Sequence, residues 1–166
     1  MLSIEDFIEH SDSFELKLQI WKKDSDLFIY FKEDNKEDTL KEYLPNIQEE
    51  ITWVEENKSK FEEILLEENV LELIEDIAGS TNILDCTEEE SYLIEDDTDL
   101  DDCLPMTEDE LYNSLFIETM AITFDKEDKT TFEIFLDCDH DYLEDYHFLL
   151  NIDEDKNIIF KGLEED

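Results

Sequence analysis

The stretch FELKLQIWKKDSDLFIYF, Phe14 to Phe31, decides how the chain is read. Phe14, Leu16, Leu18 and Ile20 alternate with Glu15, Lys17 and Gln19, the period-2 pattern of a half-buried strand. Leu27 to Phe31 forms a second β-like run, and the polar segment Lys22 to Asp26 between the two reads as a turn. A β-hairpin over 14–33 follows.

Downstream the apolar period lengthens. Pro45 suits the first turn of a helix, and Ile47, Ile51 and Val54 recur at helical spacing. Ser59 with Glu62 has the form of a capping box. Phe61, Ile64, Leu65, Leu71, Ile74 and Ile77 carry the stripe on to Gly79, a natural C-terminal stop. The expectation is a helical pair, or one long kinked helix, over 45–78. A second capping box, Thr107 with Glu110, opens a short helix to about Phe116.

The remainder alternates again. Met120, Ile122 and Phe124 precede a turn at Asp125 to Lys129, and Phe132, Ile134 and Leu136 follow it. After an acidic turn come Tyr146, Phe148, Leu150 and Ile152, then a turn at Asp153 to Asn157 and a last strand at Ile158 to Phe160. Each strand has one apolar face, and no repeat or low-complexity linker interrupts the chain. The class is α+β: one domain over 1–166, with an antiparallel sheet of the hairpin plus a four-strand meander packed on the helical pair. The region 107–166 holds the short helix and the meander.

Composition narrows the function. The 166 residues include 52 Asp plus Glu against 12 Lys and no Arg, for a formal net charge of -40. Such a surface repels phosphate backbones and anionic headgroups within a screening length of roughly 8 Å, so neither nucleic acid nor a membrane surface is an expected ligand. Without Arg there is no fork for bidentate phosphate recognition. Two glycines leave no material for a phosphate-cradling loop. Disorder is also disfavoured, because 40% of residues are hydrophobic and 11 are Phe. The acidic N-terminus MLSIEDFIEH does not resemble a secretory signal, and no run approaches a membrane span, so a cytoplasmic protein is expected. Cys86, Cys103 and Cys138 have no zinc or disulfide spacing and read as reduced thiols.

The segments LPMTEDELYNSLFIETMAITFD, Leu104 to Asp125, and TTFEIFLDCDHDYLEDYHFLLNIDEDKNIIFKGL, Thr130 to Leu163, carry a resemblance. They resemble small bacterial domains that show an LT-x-E-x-L helix start, two strands, an acidic turn, a Y/H-x-F/I-x-V-x-I-D strand and a short last strand near a Gly. Similar domains occur among immunity proteins encoded beside polymorphic toxins. The resemblance implies a non-enzymatic binding protein and brings no catalytic residues. An Asp-rich turn at Asp137 to Asp145 stands where the pattern has glycine, and the acidic insert at 80–106 has no counterpart in it.

Asp137, Asp139, Asp141, Glu144 and Asp145 with His140 and His147 have the residue types of a carboxylate-imidazole metal site. Glu144 and His147, however, run into a predicted strand, where residues three apart point to opposite faces. Two calcium-loop imitations, starting at Asp97 and Asp153, lack the glycine of the sixth position, which Asp102 and Ile158 occupy. No nucleophile elbow occurs. The expectation is therefore no enzyme, no cofactor and no metal.

The charge itself points to a partner. Residues 81–110 hold thirteen acids and no Lys, the densest acidic segment of the chain. Glu88, Glu89, Glu90, Glu95, Asp96, Asp97, Asp99, Asp101 and Asp102, with Tyr92 as an aromatic anchor, form the expected partner-binding site. Thr87 and Glu90 suggest a short helix there. The Glu pairs at 49/50, 55/56, 62/63 and 67/68 suggest a negative rod along the helices. The leading reading is an acidic inhibitor, an immunity protein that binds a basic toxin such as a nuclease and fills its substrate groove. An anti-defence protein of a phage or mobile element that mimics DNA is the alternative, and a metal-dependent enzyme using Asp137 to His147 is the second.

Overall fold

The computed structural model describes residues 2–32, 37–80, 107–125, 130–138, 143 and 145–165. A single 3-10 turn at Ile4–Asp6 leads into the strands β1 (Ile8–Glu9), β2 (Phe14–Ile20) and β3 (Lys23–Phe31). The helices α1 (Glu37–Glu56), α2 (Lys58–Glu67) and α3 (Val70–Ser80) follow, then α4 (Glu108–Ser114) and the strands β4 (Leu115–Phe124), β5 (Thr131–Cys138), β6 (Tyr146–Ile152) and β7 (Ile158–Glu165). The seven described strands form one sheet in chain order, β1 to β7. The α+β reading holds.

The hairpin pairs as its alternation requires, with Phe14 opposite Ile29 and Leu16 opposite Leu27. Its turn differs from the expected one. Ile20 pairs directly with Lys23, so only Trp21 and Lys22 form the turn, and Lys23 to Asp26 belong to β3. Both turn residues have positive φ, 51° and 71°, the two-residue geometry whose twist matches that of the flanking strands. The polar run can extend as strand because Asp24 and Asp26 point away from the helices. Ser25, which points inward, donates its hydroxyl to the Ile117 carbonyl at 2.6 Å.

The sheet is not wholly antiparallel. Hairpin and meander join through a parallel pair, β3 with β4, in which Leu27, Ile29 and Phe31 face Met120, Ile122 and Phe124. A parallel pair needs a long crossover, and the helices supply it. All remaining neighbours are antiparallel. A bulge between Ile117 and Thr119 inserts Glu118 into β4.

The helical layer also departs from expectation. α1 begins at Glu37, upstream of Pro45, because the apolar stripe extends back through Tyr43 to the fully buried Leu40. Pro45 lies inside the helix, on its exposed side, where the chain forgoes one backbone bond. Instead of a pair or one kinked rod, three helices cover 37–80. Asn57 interrupts the first junction, donating its side-chain amide to the Trp53 carbonyl at 2.7 Å. Ser59 therefore lies within α2 and caps nothing. Asn69, at φ 57°, breaks the second junction, a left-handed conformation that Asn tolerates. α3 passes through Gly79 to Ser80. The Thr107 box forms as expected: its hydroxyl accepts from the Glu110 N–H, and its own N–H donates to the Glu110 carboxylate. That helix stops at Ser114, and β4 starts at the next residue, earlier than expected.

One apolar core unites these elements. Leu40, Ile47, Val54, Phe61, Leu65, Val70, Ile74 and Leu111 from the helices pack with one parity of strand residues, among them Leu27, Ile29, Met120, Ile122, Ile134, Leu136, Phe148 and Leu150. Phe31 and Phe124 stack at 5.6 Å, and Tyr43 of α1 closes over Phe124 at 4.4 Å. The described helices thus lie on one face of the sheet.

Candidate protein-binding site

The residues expected to bind a partner, Glu88, Glu89, Glu90, Tyr92, Glu95, Asp96, Asp97, Asp99, Asp101 and Asp102, lie outside the described residues. So do Thr87, Cys86 and Cys103. What the structure defines is the place where that segment rejoins the fold. It does so at Thr107, beside α2, where three carboxylates crowd together. Burial pushes the Glu62 carboxyl above its ordinary range, and the nearby charges of Glu108 and Asp109 push it further. Lys58 opposes them.

Several lysines at the helical layer are turned onto aromatic rings. The Lys58 ammonium lies 5.3 Å from the Trp21 ring and 4.8 Å from Tyr112. Lys60 and Lys156 both approach the Trp53 ring, at 5.3 and 5.7 Å, and Lys156 also pairs with Glu50. Their positive charge is spent against carboxylates and π faces. Glu49, Glu55, Glu56, Glu63, Glu67 and Glu68 are exposed, whereas Glu50 and Glu62 are half-buried, so the paired-Glu pattern yields a broken acidic surface rather than a continuous rod.

The opposite face of the sheet is the larger feature. In register across all seven described strands run Ile8, Glu15, Phe28, Ala121, Glu133, Asn151 and Ile159. Beside that row lie Lys17, Asp26, Thr119, Phe135 and Leu149, and Tyr30 pairs with Thr123 on the other side. Phe28, Tyr30, Phe135 and Leu149 are half-buried and do not pack on the core. Ile8 and Ile159, at opposite edges, are 50% and 43% exposed. No described helix covers this face.

Its charges are mostly negative. From β2 to β5 it carries Glu15, Asp24, Asp26, Glu118, Glu133 and Asp137 against Lys17, with the Lys23 ammonium reaching the Phe116 ring at 5.8 Å. At one corner His10 lies 2.7 Å from Glu15, and Lys17 bridges Glu15 and Asp26 at 3.2 Å each. Hydrogen bonds from His10 and then Lys17 hold the Glu15 carboxyl below its ordinary range. Tyr30 is shifted upward, by burial first and by the charge of Asp12 second. The side-chain oxygen of Asn151 is sealed from solvent without a hydrogen-bond partner.

His147 sits on this same face in β6, buried, with Nδ1 3.3 Å from the Glu118 carboxylate and its ring edge-on to Phe135 at 5.6 Å. It lies in a strand, as its reading against an E-x-x-H site required. Asp139, His140, Asp141 and Glu144 lie outside the described residues. Among the described residues no group of three or more His, Cys, Asp or Glu is placed to hold a metal. In the loop at Asp153 the carboxylate accepts from the N–H groups of Asp155 and Asn157, both at 2.9 Å, so its oxygens close a turn. Cys138 is buried, and its backbone N–H donates to the Asp137 carboxylate at 2.6 Å.

Alternation alone does not reveal this second face, because it credits each strand with one apolar side. The signal was present: LFIYF is apolar at successive positions, and Phe135 and Leu149 break the polar parity of their strands. No family model, no curated protein and no solved structure matches the chain. No described helix is long and apolar enough to cross a membrane.

Proposed function

We propose that the protein is a non-enzymatic, cytoplasmic inhibitor that binds a basic protein and occludes the groove in which that partner holds a polyanion, as an immunity protein does for a nuclease toxin. The observation that carries the reading is the charge imbalance. Twelve lysines cannot neutralise 52 carboxylates, and several lysines are already turned onto rings or internal acids. Self-repulsion of this size costs stability, whereas a basic partner converts it into attraction and faster encounter. The same charge supports a DNA-mimicking anti-defence protein. That reading shares the binding chemistry and differs only in the partner's origin.

A column bearing the full chain tests the proposal. At low salt it should retain a basic protein whose elution depends steeply on salt, and the retained protein should lose its activity on nucleic acid when the chain is added back. Retention of no basic protein, or undiminished activity in the presence of excess chain, counts against inhibition.

A further inference from the structure

The sheet has two faces and the described helices cover one. A strand that is apolar on both sides is stable only where something removes both sides from water, and Phe28, Tyr30, Phe135 and Leu149 are removed only in part. The register places Phe28 between Glu15 and Ala121, with Glu133 beyond Ala121, and Phe135 between Thr119 and Leu149, so the small residues of β4 separate the rings and a carboxylate lies near each. Aromatic plates thus alternate with acids across the face. A groove of about 580 Å³ opens at its hairpin end among Lys17, Gln19, Asp24, Asp26 and Glu118.

Size and charge decide what suits such a face. Seven strands at a spacing of about 4.8 Å span roughly 30 Å, and strands of this length give a surface on the order of 700 Å². That is close to one partner's share of a standard protein interface. No described lysine or histidine pairs with Glu133, and the lysines that reach this face from β2 to β5 are taken up elsewhere, Lys17 by Glu15 and Asp26 and Lys23 over the Phe116 ring at 5.8 Å. Arginine fits this chemistry better than lysine, since its planar guanidinium stacks on a ring and forks onto a carboxylate at once. The chain itself has no Arg to place there.

We propose that the face of the sheet that the described helices leave open, centred on Phe28, Phe135 and Glu133, is the docking surface for an arginine-bearing face of a basic protein partner. This rests on the reading of the chain as an acidic inhibitor and locates the contact on the sheet rather than on the helical layer. Arginines of the partner stack on Phe28 and Phe135 and pair with Glu133, while acids at the rim steer the approach.

The probe for the test is a short peptide of alternating Arg and Leu, with its Lys and Leu counterpart as control. Both are titrated into the full chain at low salt by calorimetry, with amide shifts mapped by NMR. Phe135→Ala and the near-isosteric Glu133→Gln should each weaken the Arg peptide about tenfold. Glu63→Gln, an equal charge change on the exposed side of α2, should leave affinity within about twofold. The Arg peptide should bind several-fold tighter than the Lys peptide, with shifts on β3 to β6. Thermal melts confirm that each variant is folded, and Glu133→Gln serves if Phe135→Ala melts early. Equal losses for Glu133→Gln and Glu63→Gln, or equal affinity of the two peptides, overturn the docking surface while leaving an acidic inhibitor intact. No stoichiometric binding of the Arg peptide by the unaltered chain overturns the docking surface, whereas failure of the inhibitor reading shows separately, as a column that retains no basic protein.

Discussion

Trp21 and Lys22 share an unusual backbone and have opposite reasons for tolerating it. Both adopt positive φ in the hairpin turn, a conformation that costs an L-residue about 1–2 kcal/mol. Trp21 recovers this cost through contacts: its ring meets Phe61 edge-on at 5.3 Å, its indole N–H donates to the Val54 carbonyl at 3.1 Å, and its backbone N–H donates to Glu55 at 2.7 Å. Lys22 is exposed and has no comparable contact. Lys22→Gly is therefore expected to raise stability by about 0.5 kcal/mol, the relief of strain less the extra entropy of the unfolded chain. Trp21→Gly, at the neighbouring position, should cost about 3–5 kcal/mol. Urea denaturation of the two variants checks the opposed signs. The turn was misplaced from sequence because its two residues look like any other, whereas Asp24, Ser25 and Asp26 look like a turn. Only the Ser25 hydrogen bond to Ile117 and the open face for the two acids reveal why that polar run extends.

At the scale of elements, α4 and α2 meet through acids of opposite consequence. The Thr107 hydroxyl and N–H hold the Glu110 carboxyl below its ordinary value of 4.5, so Glu110 stabilises the fold above that pH and loses the effect as pH falls through its depressed value. Glu62 is raised above 4.5 by burial and by Glu108 and Asp109, so it opposes folding at neutral pH, and protonation removes the opposition as pH falls. Thr107→Ala should cost about 1 kcal/mol at pH 7. Glu62→Gln should gain less than about 1 kcal/mol at pH 7, with the gain vanishing once the carboxyl is protonated in both states. Thermal melts of both variants between pH 3 and pH 7 separate the two signs, and a pH-independent gain for Glu62→Gln would refute the repulsion. The Thr107 box was readable from sequence because a capping box is wholly local. The Ser59 box was not, since Asn57 bonds back to Trp53 and starts α2 ahead of Ser59. Pro45 misled for a related reason: Leu40 finds a buried place in the core, and that burial outweighs the one bond the proline omits.

For the whole molecule the governing quantity is net charge. At -40 the folded state confines mutual repulsion that the unfolded chain spreads out. Raising salt from about 10 to 150 mM shortens the screening length from about 30 to 8 Å, so the melting temperature should climb across that range. A flat or falling profile would show that the acids are locally compensated. The same salt should weaken binding of a basic partner, so stability and affinity move in opposite directions along one variable.

The sequence by itself determined the α+β class, the inward parity of the strands, the apolar stripes of the helices and the sign of the surface. These are local or additive properties: alternation fixes which side chains share a face whatever strand lies alongside, and charge sums without reference to place. Tertiary structure alone decided that hairpin and meander join through the parallel β3 and β4, and that the described helices gather on one side of the sheet. Those outcomes depend on where a crossover returns the chain, which no window of sequence contains. They also leave Phe28, Tyr30, Phe135 and Leu149 on a face that the described helices do not cover, the ground on which a basic partner is proposed to dock.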